Sequence, residues 1–175
     1  MPELSEGGFT LNFGIVKLSG KLSEQDRQCA WQLYTEIVTR VAVSGKRRDA
    51  TSADFTGEVL VESLASLHAF FQEAREIMKS FPVGKLKEKQ QSHLGTLIHD
   101  LLADVLRPFL EKWQAHLRSW WDSQDKAEDW FELQKKYPRY DELLKDWTYL
   151  RKLMRKLEHK LRDEYKLHCA DHENL

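Results

Sequence analysis

Cysteine, proline and long apolar runs are all scarce in this 175-residue sequence. Its two cysteines, Cys29 and Cys169, do not make a disulfide framework, which predicts a reducing, cytoplasmic setting. No apolar run is as long as a membrane span, and the N-terminus lacks the basic-then-apolar order of a signal peptide. We therefore expect a cytoplasmic protein without membrane contact.

Neither sign of charge dominates, because 27 lysines and arginines face 28 aspartates and glutamates and leave a net charge of -1. This balance excludes a generally basic coat for nucleic acid, although not a local basic face. The sequence also lacks a glycine-rich phosphate loop, a Gly-x-Ser-x-Gly motif, a Cys-x-x-Cys pair and a His-Glu-x-x-His motif. We therefore expect no cofactor and no bound metal, and the sequence leans against an enzyme.

The apolar residues follow helical spacing over most of the chain. Steps of three and four predict helices over residues 24–43, 58–80, 94–120 and 140–167. Pro108 removes one hydrogen bond from the third helix, so a kink is expected near residues 104–108. Residues 45–56 show no apolar period and are expected to form a mobile loop. The predicted fold class is all-α: an antiparallel bundle of four to five helices, one of them kinked at a proline.

A period of two begins near the N-terminus. Phe9, Leu11 and Phe13 alternate with smaller or polar residues between residues 9 and 18, which predicts a short extended or β segment. Three arrangements stay open: a hairpin around Gly14, pairing with another chain, or an arm lying on the helices. The expected organisation is an N-terminal arm over residues 1–22, one helical-bundle domain over 23–168 and a frayed tail over 169–175.

The C-terminal helix carries a candidate catalytic pair and a candidate phosphate-binding stripe. Arg162 and His168 resemble the motif of HEPN-type ribonucleases. The resemblance implies that Arg162 holds the scissile phosphate and that His168 moves the proton of the attacking 2'-hydroxyl. Lys152, Lys156 and Lys160 step by four along one edge of the helix. They would suit RNA or DNA phosphates, or they would flank an acidic neighbouring helix.

Two further clusters contain metal-binding residue types. His168, Cys169 and His172 offer three ligands, whereas a structural zinc site takes four. His99 with Asp100 would need more ligands from other helices, and those helices carry apolar stripes instead. Neither cluster is expected to bind a metal.

Aromatic residues are the most distinctive feature of the sequence, which has six tryptophans. Helical spacing assigns Trp31, Trp113 and Trp147 to the core. Trp121 points about 100° away from Trp120, so the two cannot both lie centrally in one seam. Trp121 and Trp130 are the candidates for a partner surface, where tryptophan is a common anchor. Three N-terminal residues are further candidates for partner contact, through the strand that they predict: Phe9, Leu11 and Phe13.

Three helical stretches, 30–41, 63–71 and 106–120, are similar to a group of small bacterial helical proteins that have no assigned activity. The likeness touches three helices and brings no catalytic residues with it. It implies a bacterial, intracellular origin, and it invites an accessory role beside a larger partner, for example in phage defence.

These patterns support three functional hypotheses. The leading one is a non-catalytic protein–protein interaction or accessory module, because apolar and aromatic stripes account for nearly every distinctive residue. The alternative is a HEPN-like ribonuclease or RNA-binding helical protein that uses the basic C-terminal helix. The third is a homo-oligomer joined through the N-terminal strand.

Overall fold

The structure is a computed structural model that describes residues 3–12, 24–81 and 94–167. Two short strands come first, β1 (Glu3–Glu6) and β2 (Phe9–Asn12). The helices that follow are α1 (Glu24–Thr39), α2 (Val41–Ser44), α3 (Leu60–Ser80), α4 (Leu94–Asp100), α5 (Arg107–Asp122), α6 (Trp130–Lys135) and α7 (Tyr140–Tyr165). The predicted all-α fold with a short N-terminal β segment is confirmed.

Two pairs of long helices, α1 with α3 and α5 with α7, pack around one apolar core. Gln25, at the start of α1, donates to the carbonyl of Ser80 at the end of α3 (3.4 Å). The Phe109 and Trp147 rings, with 5.6 Å between centres, join the start of α5 to the N-terminal part of α7. The Trp120 and Tyr137 rings, with 5.2 Å between centres, join the end of α5 to the residues just before α7. Both helix pairs are therefore antiparallel.

A π-helical segment, Leu101–Leu106, joins α4 to α5 and immediately precedes Pro108. At the end of this segment, the N–H of Arg107, the first residue of α5, donates to the carbonyl of Leu102, five residues back. Pro108 has no N–H for the carbonyl of Asp104 and crowds it, so this wider winding accommodates the ring. The irregularity expected at 104–108 thus takes the form of a π segment that begins earlier, at Leu101.

The two strands form a hairpin within one chain, with Glu6 opposite Phe9 and Ser5 opposite Thr10. Gly7 and Gly8 make the two-residue turn with φ of +53° and +94°, a region that glycine enters most readily. The predicted segment 9–18 contains β2, but its partner β1 was not predicted. The alternative hairpin around Gly14 lies outside the described residues.

A buried guanidinium lies at the centre of α7. Arg151 has no exposed surface and donates from Nη2 to Glu58 Oε2 (2.6 Å). Its guanidinium carbon lies 4.0 Å from the centre of the Phe55 ring. Burial lowers the pKa of Arg151, and the negative charge of Glu58 acts in the opposite direction. This ion pair connects α7 to the chain segment that leads into α3.

The loop between α2 and α3 is tied down, although the sequence predicts a mobile one. Arg155 on α7 donates to the backbone carbonyls of Ser44 (2.6 Å), Lys46 and Asp49. The Asp49 carboxylate in turn accepts from the backbone N–H groups of Thr51 (2.9 Å) and Asp54 (2.8 Å). Polar loops without apolar periodicity can thus be ordered by one long side chain from a neighbouring helix.

Candidate functional site

The most prominent surface feature is an aromatic elbow where α5 turns into α6, formed by Trp120, Trp121, Trp130, Phe131 and Tyr137. Trp130 and Phe131 are each 43% exposed, side by side at the start of α6. The Trp130 ring stands edge-on against Trp121, with 5.6 Å between ring centres and 88° between planes. Edge-to-face packing of this kind fixes the orientation of the outer ring. The elbow therefore presents the Trp130 ring on an ordered aromatic base, with the exposed Phe131 ring next to it in sequence.

Helix α6 is short, so its position depends on specific contacts at both ends. Asp129 caps its N-terminus, where the carboxylate accepts from the Phe131 N–H (2.8 Å). Buried Gln134 accepts from the Leu60 N–H (2.8 Å) and donates to the carbonyl of Glu58 (2.9 Å). These two bonds connect α6 to the start of α3 and hold the exposed rings in place.

The elbow lies in an acidic part of the chain. Residues 122–136 contain five carboxylates and three lysines. The lysines pair with Asp122, Glu128 and Glu132. The other two carboxylates, Asp125 and Asp129, accept from backbone N–H groups and have no ion pair among the described residues. The surface around the rings therefore has an excess of negative charge.

The structure changes two of the tryptophan assignments and adds a phenylalanine to the exposed aromatic residues. Trp121, a predicted partner contact, is only 5% exposed, because it is the base on which Trp130 packs. Trp31, a predicted core residue, is 41% exposed and lies against Tyr34. Phe131 was not among the predicted partner contacts, although its position next to Trp130 in an acidic stretch was a usable signal. Trp113 and Trp147 are fully buried, as expected.

The N-terminal residues predicted for partner contact turn inward where the structure describes them. Leu11 is fully buried in the core of its own chain, and the Phe9 ring lies 6.3 Å from the Phe109 ring. Phe13 lies outside the described residues. The hairpin contacts α7 and the π segment. A strand that packs in this way is used within the chain, so Leu11 is not available as an exposed anchor.

The predicted lysine stripe is partly neutralised by the hairpin. Lys156 donates to the Ser5 carbonyl (2.8 Å) and pairs with Glu6 (2.9 Å), and Lys152 lies 3.8 Å from the same carboxylate. The hydrogen bond from Lys156 is the largest of the causes that hold the pKa of Glu6 below its ordinary value. Lys160 has no ion pair in the described part of the chain. Two of the three lysines therefore face a carboxylate already.

The predicted catalytic pair is only half described. Arg162 is exposed, donates to His159 Nδ1 (3.0 Å) and lies 3.5 Å from the Asp163 carboxylate. His168 lies outside the described residues, as do Cys169 and His172. Of the other sequence cluster, His99 contacts its neighbour Asp100 at 3.2 Å. The ribonuclease hypothesis stays a prediction.

Residues 3–12, 24–81 and 94–167 contain no group of three or more side chains that could hold a metal ion. Among their helices, none combines the length and the apolar character of a bilayer span.

Comparison of the chain with protein-family models, with curated proteins and with solved structures gave no match. The similarity of residues 30–41, 63–71 and 106–120 to small bacterial helical proteins therefore stays an expectation.

Proposed function

We propose that this protein is a non-catalytic interaction module, an accessory subunit that binds a protein partner through the aromatic elbow. The observation that carries the proposal is the adjacent exposure of Trp130 and Phe131 on a helix that is fixed at both ends. Large rings held rigidly at a surface lose little conformational freedom on binding and supply much of the contact energy at interfaces. The proposal retains the cytoplasmic setting that the cysteine content predicts.

The chemistry of the elbow favours a partner segment with an apolar anchor beside lysine or arginine. The rings offer a contact for the anchor. The carboxylates of Asp125 and Asp129 have no ion pair within the described residues, so they are free to attract a basic side chain. Complementary charge speeds association and excludes acidic competitors. Nucleic acid is disfavoured at the same surface, because its phosphates would meet these carboxylates.

The ribonuclease or RNA-binding alternative has less support. Lys152 and Lys156 already face Glu6 of the hairpin. Arg162 donates to His159 and lies close to Asp163. Phosphate binding at this helix would have to replace these contacts.

The test is affinity capture with the tagged full chain from its native host, with and without nuclease. The variant is W130A/F131A, and W31A is the matched control, because Trp31 is almost equally exposed but lies on α1. Far-UV circular dichroism and thermal melting check that the variants fold. The captured protein is then purified and titrated against each variant.

We expect one protein to be captured by the wild type and by W31A, to persist after nuclease, and to be lost with W130A/F131A. In the titration, the double substitution should cost about 2 kcal/mol or more, as truncation of interface anchors does. Capture that is equal for all three chains would refute the elbow as the binding surface. Capture that disappears with nuclease would favour the nucleic-acid alternative.

A further inference from the structure

One lysine of the chain already lies over a ring of the aromatic elbow. The Lys126 ammonium is 5.9 Å from the centre of the Trp121 ring, within the distance at which a ring face attracts a cation. The same ammonium lies 3.6 Å from Oδ1 of Asp122, the last residue of α5. The chain's own side chain therefore shows which head group this part of the elbow accommodates, a primary ammonium on an aliphatic stem.

Two rings at right angles adjoin this ammonium position. The Trp130 plane stands at 88° to the Trp121 plane, with 5.6 Å between ring centres. Several aromatic faces at such angles are the usual means of binding an organic ammonium. Trp130 is 43% exposed, whereas Trp121 is 5% exposed with Lys126 over its ring. We call Trp121, Asp122 and Trp130 the cation subsite of the elbow.

Lys126 is held in the subsite by weak contacts. Its side chain is 41% exposed, and that of Asp122 is 60% exposed. Their separation of 3.6 Å exceeds hydrogen-bond length, whereas the neighbouring pair of Lys135 and Glu132 is at 2.6 Å. An exposed ion pair adds little stability, because water solvates both charges when they separate. The Lys126 side chain can therefore move into solvent at small cost and leave Asp122 as a free acceptor.

The charge next to the subsite favours a cation from outside. Asp125 and Asp129 are the chain neighbours of Lys126 and Trp130. Each accepts a backbone N–H through Oδ1, at 3.0 and 2.8 Å, and neither has an ion pair in the described part of the chain. Because a carboxylate accepts on both oxygens, they retain acceptor capacity for an ammonium, which has three donors.

We propose that the cation subsite binds a lysine side chain of the partner and that Lys126 is its internal competitor. The partner's ammonium replaces that of Lys126 over the Trp121 ring and pairs with Asp122, and its stem lies against Trp130. The assignment of this lysine to a protein partner rests on the proposed function. A site that is occupied from within binds its ligand more weakly, in proportion to the fraction that is free.

The experiment is a titration of the full chain with Nα-acetyl-lysine methylamide, followed by NMR of the six tryptophan indole N–H signals. Nα-Acetyl-norleucine methylamide, which has a similar stem and no ammonium, is the control ligand. The variant is Lys126→Gln. Lys135→Gln is its matched control, because Lys135 lies in the same acidic segment and pairs with Glu132, but has no such ring contact among the described residues. Each substitution removes one positive charge and releases one carboxylate.

We expect the lysine compound to shift the indole signals of Trp121 and Trp130, and the norleucine compound to shift them much less. Lys126→Gln should bind the lysine compound about threefold more tightly or better, because the internal competitor is gone. Lys135→Gln should change the affinity much less. Equal affinity of wild type and Lys126→Gln, equal gains in the two variants, or equal binding of the two compounds would each overturn the proposal.

This titration needs no partner, so its outcome is separate from that of the capture experiment. Tighter binding by Lys126→Gln, together with continued capture by W130A/F131A, would support the cation subsite and refute the proposed function. Capture that is lost with W130A/F131A, together with unchanged binding by Lys126→Gln, would support the proposed function and overturn the role of Lys126.

Discussion

Arg151 is a charged side chain without exposed surface in a core that is mostly apolar. It is tolerated because its guanidinium pairs with Glu58 and lies over the Phe55 ring, while its Nε reaches towards the Ala42 carbonyl (3.5 Å). A buried ion pair contributes little net stability compared with a well-packed apolar pair, because both charges lose hydration. Its structural effect is to fix the chain between α2 and α3 against α7.

Arg151→Ala is expected to lower the free energy of unfolding by about 3–5 kcal/mol, because it leaves the Glu58 carboxylate buried without its cation. Urea denaturation followed by tryptophan fluorescence measures the loss. Lys145→Ala on the exposed face of α7 is the control and should change the free energy by less than about 0.5 kcal/mol. A loss below about 1 kcal/mol for Arg151→Ala would mean that Glu58 finds water when its partner is removed.

Asp49 gives the loop between α2 and α3 a pH dependence. Hydrogen bonds from Thr51 and Asp54 lower the pKa of Asp49 to about 2. A carboxylate with a lowered folded-state pKa stabilises the fold above its unfolded pKa of about 4 and loses this effect as the pH falls through about 2. We therefore expect the protection of the Thr51 and Asp54 amides, measured against their intrinsic exchange rates at each pH, to fall between about pH 4 and pH 2. Hydrogen exchange in Asp49→Asn should show no such step.

Single elements differ in how much of them the sequence predicts. The long helices are predictable because an apolar step of three or four repeats over many residues. The strand β1 is not, since Glu3–Glu6 has little β propensity and only one apolar residue. Its signal was the Gly7–Gly8 pair, which favours a two-residue hairpin turn. The π segment also depends on a local signal. Pro108 indicates an irregular turn, but not whether the helix before it winds more tightly or more widely.

Gly7→Ala is expected to displace the hairpin from α7. A Cβ at this position would overlap the Tyr149 ring, whereas nothing lies within 4 Å of a Cβ on Gly8. Gly8→Ala is therefore the matched control, because both residues have positive φ but one alone has a steric conflict. Thermal melting should show a larger loss for Gly7→Ala, and NMR shifts of Lys152 and Lys156 should report the release of Glu6. Equal losses of stability would mean that the strain of a positive φ, and not the overlap with Tyr149, sets the cost of the substitution.

At the scale of the whole molecule, the hairpin is part of the same core as the bundle. Leu11 is as completely buried as Leu150 or Leu157 of α7. The sequence predicts an arm over 1–22 and a bundle over 23–168. Where the structure describes both stretches, they share one hydrophobic core, so the predicted boundary does not separate two packed units. The predicted exposure of Trp121 and the predicted burial of Trp31 were wrong for the same reason. Periodicity identifies an apolar stripe on a helix, but tertiary contacts decide whether a neighbour covers it. Trp121 is covered in this way, and Trp31 is not.

Leu11→Ala is expected to lower the free energy of unfolding by about 2–5 kcal/mol, as truncation of a buried leucine does. The molecular mass in solution should stay the same, because Leu11 packs within its own chain. Denaturation and light scattering measure the two quantities, and Thr10→Ala, an exposed residue on the same strand, is the control. A change in mass with little change in stability would instead support assembly through the strand.

The loop that Arg155 holds by three backbone carbonyls has a consequence for proteolysis. Lys46, Arg47 and Arg48 offer trypsin three consecutive cleavage sites. A protease needs the backbone at these bonds to detach and extend into its cleft, and the hydrogen bonds from Arg155 oppose that. In the native protein this basic tripeptide should survive brief digestion, and cutting there should become fast when Arg155 is replaced by alanine.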